Sequence, residues 1–287
     1  MKIINPAISS RQQRNWDWRA AGNFIGGGIG TGLITAAALA SLKGFDTLPL
    51  MLLGLALVGG GLFCVWLEIG RPWRALNVFK HLSTSWMSRE ALVAPLLFTT
   101  GAAAWLFEPL LLWPTAILAL SFLYSQSRIL RADKGIPAWR HPRCAQLLIA
   151  TGLTEGTGLL VLALPFVADA AVESWLLLLA LLGVRHWLWQ RYRSERAAAN
   201  APLASQRQLA TLDHPLLWFG TLIPGVLLLC ALLVPPLAMV AGALALASGA
   251  NLKYTLICRA AFTQGFSLQH QPVRGQRTPA RMQRAAH

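Results

Sequence analysis

The chain has 287 residues, of which 55% are hydrophobic and 13% charged, with a mean hydropathy of +0.50. This composition is too apolar for a soluble fold of that length. The net charge of +14 would suit a nucleic-acid partner, but the basic residues are spread over five separate segments, so we expect no nucleic acid. One helical membrane domain accounts for nearly all of the chain.

Eight apolar segments divide the chain. They lie at about residues 20–42, 48–69, 90–107, 109–130, 144–167, 171–190, 214–234 and 236–258. Most are near the ~20 residues that a helix needs to cross ~30 Å of hydrocarbon. The sequence therefore predicts an all-α polytopic membrane protein, a bundle of eight transmembrane helices within residues 20–266. A cytoplasmic N-terminal segment at 1–19 precedes it, and a basic, disordered tail at 267–287 follows it.

The basic residues mark the two sides of the membrane. Of the 25 Lys and Arg residues, 24 lie in or beside the N-terminal segment, the C-terminal segment and the connections after the second, fourth and sixth apolar segments. Only Lys43 belongs to a connection on the other side of the membrane. By the positive-inside rule, both termini face the cytoplasm of a bacterial inner membrane. The outer connections are minimal, whereas the inner ones run to about 12–23 residues. We therefore expect partners to dock on the cytoplasmic face.

Ionisable residues inside a bilayer cost several kcal/mol each and usually have a use. Glu155 is the deepest, 11 residues after Cys144 or roughly 16 Å along a helix. It lies in the segment TGLTEGTG, whose glycines permit close helix contact and whose threonines can hydrogen-bond. Two roles stay open: a protonated carboxyl group satisfied by a neighbouring helix, or a residue of a proton path or lipophilic-ligand site. Lys253, near the inner end of the last segment, can extend its ammonium group to the membrane surface, and we expect it to be structural.

Two further carboxyl groups stand at the predicted inner edge of the membrane, Glu68 at the end of the second segment and Glu90 at the start of the third. A quinone headgroup needs aromatic walls, polar partners for its two oxygens and a group that exchanges protons. The stretch supplies Glu68 and Glu90 as candidate catalytic groups, and as candidate quinone-binding residues Arg71, Trp73, His81 and Trp86. A second interpretation makes Glu90 a helix cap, favoured by the helix dipole, with the tryptophans in an interfacial belt.

The histidines and cysteines do not favour a redox centre within this chain. A bis-histidine haem needs two histidines that face each other from neighbouring spans at similar depth, and no pair among the six histidines suits that requirement. The four cysteines are far apart and none belongs to a C-x-x-C pair. We therefore expect neither haem nor an iron–sulfur cluster here.

Three stretches carry a resemblance to a known family: EIGRPWRALNVFKHLSTSWMSREAL from Glu68, GIPAWRHPRCAQLLIATGLTEG from Gly135, and LKYTLICRAAF from Leu252. They resemble the membrane-anchor subunits of molybdopterin oxidoreductases, and among these the dimethyl sulfoxide reductase anchor type. The polysulfide reductase anchors are similar more loosely. The resemblance covers most of the eight segments, and its sharpest motif is the first of the three stretches.

The resemblance implies a haem-free, eight-helix subunit that exchanges electrons between the membrane quinone pool and an iron–sulfur partner. Quinone is then an exchangeable cofactor, whereas molybdopterin and the iron–sulfur clusters belong to partner subunits on the cytoplasmic face. In that family a histidine before Leu-Gly-Ser-Pro and a glutamate after Leu-Ser-x are tied to quinol binding. The glutamate corresponds to Glu90, whereas Glu68 stands in place of the histidine and keeps a titratable group there.

The predicted orientation separates the possible substrates. In dimethyl sulfoxide reductase the catalytic subunits face the periplasm, whereas the charge distribution places the motif loop of this chain in the cytoplasm. The stretch NWDWRAAGNFIGGGIGTGLI resembles anchor subunits of phenylacetyl-CoA:acceptor oxidoreductase. The expected reaction is thus oxidation of a cytosolic substrate such as phenylacetyl-CoA, with reduction of quinone; a cytosolic sulfite-oxidising complex is a second candidate. Three further hypotheses are an anchor that oxidises quinol, a purely structural anchor, and a transporter, for which no inverted repeat is visible.

Overall fold

The computed structural model describes residues 10–68, 72–166, 172–198 and 201–264, without the side chains of 72–76 and 198. The predicted tail at 267–287 and Arg71 lie outside the described residues, and so does the side chain of Trp73.

The described chain is helical, and its longest regular elements are α-helices. They are α1 (Trp18–Ser41), α2 (Leu48–Trp66), α3 (Trp86–Leu106), α4 (Leu112–Ala132), α5 (Pro137–Arg140), α6 (Pro142–Ala163), α7 (Val172–Ala198), α8 (Leu203–Ala210), α9 (Asp213–Leu217), α10 (Ile223–Cys230) and α11 (Leu237–Tyr254). Short 3-10 helices occupy Pro72–His81, Pro109–Leu111 and Leu164–Phe166. A π-helical turn, Trp218–Leu222, joins α9 to α10, and a second one, Thr255–Arg259, continues α11. The predicted all-α class is confirmed.

Seven stretches of the described chain are long and apolar enough to cross a membrane. They are Trp18–Ser41, Leu48–Trp66, Pro109–Ala132, Pro142–Phe166, Val172–Ala197, Asp213–Cys230 and Leu237–Arg259. Helix α3 has 21 residues, but Ser88, Arg89 and Glu90 in its first turns lower its mean hydropathy. The polytopic membrane architecture is confirmed, and the predicted count of eight spans depends on α3.

The connections gather at two ends of the bundle. At one end, the side chains of Gln13, Trp139 and Ser205 donate hydrogen bonds of 3.1, 3.0 and 2.6 Å to backbone carbonyl groups in the last turn of the final span or directly after it. At the other end, Lys43 forms an ion pair of 2.8 Å with Glu173. The N-terminal segment, α5 and α8 therefore share one end, as the charge pattern predicts, while the end that faces the cytoplasm stays a prediction.

Helix α6 packs in close contact with α1 on one side and α11 on the other. A Cβ atom added at Gly156 would overlap the backbone of Gly32 in α1, and one at Gly158 would come within 2.9 Å of the carbonyl oxygen of Gly242 in α11. The small residues of TGLTEGTG thus permit the close helix contacts that the sequence predicts. Glu155 lies within this tightly packed stretch.

Helix α7 continues past the predicted span end at residue 190 because its last turns contact the following helices. Arg193 pairs with Asp213 of α9 at 3.0 Å. The buried guanidinium group of Arg196 donates to Ser205 of α8 at 3.0 Å and to the hydroxyl oxygen of Tyr192 at 3.2 Å. These bonds fix the long connection between α7 and α9 against the bundle.

Candidate functional site

Glu90 lies in the second turn of α3, which begins four residues earlier than the predicted span. The hydroxyl oxygen of Ser85 accepts a hydrogen bond of 3.4 Å from the backbone N–H of Ser88, so Ser85 caps the helix and Trp86 is its first residue. The interpretation of Glu90 as a helix cap is therefore wrong. Its side chain points into the bundle instead and is 7% exposed.

Two amide side chains surround the carboxyl group of Glu90. Asn23 of α1 and Gln126 of α4 lie beside it, and both are buried. The Gln126 side chain also donates to the backbone carbonyl of Asn23 at 3.0 Å, and it fits against α1 because Gly27 has no side chain. Within the described part of the chain, the Glu90 Oε1 atom has no hydrogen-bond partner. Buried polar atoms are usually paired, so this carboxyl oxygen beside two amides is a candidate position for a proton, a water or a ligand.

An aromatic and cationic layer adjoins this carboxyl group at the start of α3. The guanidinium carbons of Arg89 and Arg128 lie 4.3 and 4.8 Å from the ring centroid of Trp86. Tyr124 meets the Trp86 ring edge-on at 5.6 Å between centroids. Two cations on one indole fix its position, so Trp86 forms a rigid wall one turn before Glu90.

The other predicted quinone residues take different positions. Glu68 is exposed after the end of α2, close enough to Arg19 to interact with its charge. His81 is exposed at the end of the 3-10 helix Pro72–His81, where its carbonyl accepts from Ser85 at 2.9 Å. The described contacts join neither side chain to Glu90. Of the predicted set, Glu90 and Trp86 lie one turn apart on α3.

Glu155 pairs with Lys253 in the interior of the bundle. Glu155 is the fourteenth of the 25 residues in its membrane-spanning stretch, and it is fully buried. The Lys253 ammonium group, 1% exposed, donates to its carboxylate. Both side chains fit because glycines face them: a Cβ atom at Gly28 would overlap the Lys253 ammonium group, and one at Gly249 would come 2.5 Å from Glu155.

The interpretation that the Lys253 ammonium group extends to the membrane surface is therefore wrong, and the direction of helix side chains explains why. Cα–Cβ bonds lean toward the N-terminus of their helix. In α11 that direction leads away from the nearer end, at Arg259, and toward the middle of the bundle. Lys253 consequently extends inward to Glu155.

Arg185 adds a second buried cation, which the charge pattern assigns to a connection. It lies in the middle of α7 and is fully buried. Its guanidinium group donates to the carbonyl oxygens of Ala245 at 3.2 Å and Gly220 at 2.5 Å, and to the Ser248 hydroxyl oxygen at 3.0 Å. Gly220 belongs to the π-helical turn, a type of helix defect found often at functional sites. Arg185 also interacts electrostatically with Glu155, so two cations share one buried carboxylate.

Outside the spans, His141 caps the start of α6. Its Nδ1 atom accepts from the backbone N–H of Arg143 at 3.3 Å, and its Nε2 atom lies 3.6 Å from a Glu195 oxygen. Burial lowers the pKa of His141 below its ordinary value, an effect that exceeds the opposing attraction of Glu195. The folded protein thus favours the neutral form of the His141 imidazole.

These features define a multi-pass helical membrane protein with two buried carboxyl groups, one near the start of α3 and one in mid-bundle. A model of the family DMSO reductase anchor subunit (DmsC) matches residues 21–254, and the chain belongs to that family. The family comprises the membrane-anchor subunits of DMSO reductase-type molybdoenzymes, which associate with catalytic and iron–sulfur subunits. The predicted resemblance to the dimethyl sulfoxide reductase anchor type is confirmed. Comparison with curated proteins finds no match.

Proposed function

We propose that this chain is the membrane-anchor and quinone-interacting subunit of a molybdenum and iron–sulfur oxidoreductase complex. In this proposal it has eight spans with both termini in the cytoplasm of a bacterial inner membrane. It passes electrons between an iron–sulfur subunit on the cytoplasmic face and the quinone pool, and holds neither haem nor a cluster itself. Family membership supports the anchor role and the partners.

The open carboxyl oxygen of Glu90 is the observation that carries the quinone site. A quinone takes up two electrons and two protons, so its site needs hydrogen-bonding groups for two oxygens and a group that exchanges protons. The amides of Asn23 and Gln126 provide the first, and the Glu90 carboxyl group provides the second. Trp86, which packs against Tyr124, supplies an aromatic surface one turn earlier in the same helix. The remaining candidates, Glu68, His81, Arg71 and Trp73, belong to the adjoining connection and stay proposed contributors.

Glu155 is the proposed proton-path residue. The two buried carboxyl groups lie on different sides of α1, and consecutive glycines of that helix face their partners. Gly27 faces Gln126 of the Glu90 site, whereas Gly28 faces Lys253 of the Glu155 pair. In a membrane, such buried ionisable groups usually belong to substrate or proton routes. We propose that protons travel to and from the quinone site between Glu155 and Glu90, past α1.

Oxidation of a cytosolic substrate such as phenylacetyl-CoA, with quinone reduction, is the direction that the charge distribution favours. An anchor of the DMSO reductase type that oxidises quinol is the second candidate, and family membership supports it. A purely structural anchor would leave the open Glu90 oxygen without a use, and family membership favours an anchor subunit over a transporter.

Quinone-linked turnover of the assembled complex tests the proposal. Glu90→Gln keeps shape and hydrogen bonding but abolishes proton exchange, so turnover with quinone should fall by roughly 10²–10⁴. Dye-linked activity of the catalytic subunits should persist. Glu173→Gln, an exposed carboxyl group at the opposite end, is the matched control. Wild-type quinone turnover in assembled Glu90→Gln would refute the site, and quinone-independent function of the whole complex would refute the role.

A further inference from the structure

A cleft of about 950 Å³ opens where the N-terminal segment meets the end of the final span. Its lining combines arginine, amide and aromatic side chains. These residues are Arg11, Gln12, Gln13, Arg14, Trp16, Asp17, Trp18, Tyr254 and Cys258. The Glu90 site and the Glu155 pair use none of them.

Hydrogen bonds hold the walls of the cleft in place. The Gln12 side chain donates to the carbonyl oxygen of Cys258 at 2.7 Å, and the backbone N–H of Gln13 donates to Ala261 at 2.9 Å. On the other side, Trp16 packs on Trp139 with ring centroids 4.9 Å apart. Hydrogen bonds and aromatic packing therefore fix the residues that line the cleft.

The charge of the cleft is positive. Arg11 and Arg14 both line it and are exposed. The one acidic lining residue, Asp17, is engaged by Arg19 at 2.9 Å, and this hydrogen-bonded pairing lowers the pKa of Asp17. Arg259 adds a further cation close by, 5.3 Å from the ring centroid of Tyr254. An anionic ligand would meet two or three guanidinium groups here.

The position of the cleft suits a lipid headgroup. Trp18 begins the first membrane-spanning stretch and Cys258 is the penultimate residue of the last, so the cleft lies at the level where hydrocarbon gives way to water. Trp18 is 58% exposed, and tryptophan and tyrosine are typical of the headgroup level. Basic pockets of this kind between spans bind anionic lipid headgroups.

We infer that this cleft binds the phosphodiester headgroup of an anionic phospholipid, with Arg11 and Arg14 on the phosphate. Trp18 packs against the glycerol and upper acyl chain. The bound lipid bridges the first and last spans at the end where the N-terminal segment and α8 also lie. Arginine suits this role because its planar fork binds phosphate oxygens in pairs.

Native mass spectrometry of the full chain, released from nanodiscs of mixed phosphatidylglycerol and phosphatidylcholine, tests this inference. The wild type should retain phosphatidylglycerol preferentially. Arg11→Gln/Arg14→Gln should weaken that preference by about a hundredfold, since each charge-assisted hydrogen bond from an arginine to the phosphate contributes about a factor of ten. Arg191→Gln/Arg207→Gln removes the same charge from exposed positions and serves as the control. Size-exclusion chromatography verifies that each variant stays folded.

The outcomes separate the possible ligands. Equal loss of preference in the control variant would overturn the inference, because bulk charge would then explain the binding. Competition by millimolar inorganic phosphate, as effective as competition by phosphatidylglycerol, would assign the cleft to a soluble anion instead. Weaker lipid retention in Trp18→Ala would support the contact with the acyl chain. An unchanged preference in Arg11→Gln/Arg14→Gln would refute the site outright.

Discussion

Breaking the Glu155–Lys253 pair should destabilise the protein severely. Both side chains are at most 1% exposed, and Arg185 shares the same carboxylate. Glu155→Gln is nearly isosteric, so it creates no cavity, but it leaves two buried cations without their carboxylate. Removing one partner of a buried ion pair costs ~3–5 kcal/mol, because the remaining charge stays desolvated and uncompensated. We expect a loss of that size in the free energy of unfolding.

Unfolding in mixed detergent micelles, followed by tryptophan fluorescence, measures this loss. Glu195→Gln is the control, because Glu195 pairs with Arg143 at 3.1 Å on the partly exposed surface, where an ion pair contributes ~1 kcal/mol or less. Replacing both partners, as in Glu155→Gln/Lys253→Met, should recover most of the stability. If Glu155→Gln costs no more than Glu195→Gln, or if the double variant is as unstable as the single one, the reasoning fails.

Three further predictions concern orientation, redox centres and pH. A reporter that is active only in the periplasm should work after Gly44 and after Pro109 and be silent at the C-terminus; activity at the C-terminus would reverse the orientation. The purified chain should show no dithionite-reduced haem band, and a near-stoichiometric band would contradict this. The free energy of unfolding should fall as the pH drops from about 6.5, the ordinary pKa of histidine, toward the lowered pKa of His141 in the folded protein. In this range the unfolded chain binds the proton and the folded chain does not. Unfolding across this pH range should show a flatter slope in His141→Asn, and an unchanged slope would assign the effect to other groups.

The membrane architecture is predictable from the sequence because each span carries its own signal. A run of about 20 apolar residues forms a membrane-spanning helix in a bilayer whatever its neighbours are. The glycines around Glu155 likewise indicate close packing, and Gly156 and Gly158 do approach neighbouring helices. The position of Glu90 near one end of the bundle follows from the same local pattern.

The partners of the buried charges could not be predicted, because they depend on which helices meet. Asn23 and Gln126 are 103 residues apart in the chain yet flank one carboxyl group. Arg185 stands near the end of an apolar segment and so resembles part of a basic connection, although α7 runs on past it to Ala198. A signal is present: cationic residues inside runs that are otherwise apolar usually face the bundle interior. Applied to Arg185 and Lys253, that rule predicts two cations inside the bundle, where Glu155 is the buried carboxylate that interacts with both.

The most direct test of the central claim is equilibrium binding of a short-chain quinone to the purified chain in lipid nanodiscs, measured by titration calorimetry. The wild type should bind at a single saturable site. Glu90→Leu and Gln126→Leu should each weaken binding about tenfold, since each removes a hydrogen-bonding group worth about 1.4 kcal/mol, while Glu195→Gln should bind as the wild type does. Affinity unchanged in both Glu90→Leu and Gln126→Leu would contradict a quinone site at the start of α3.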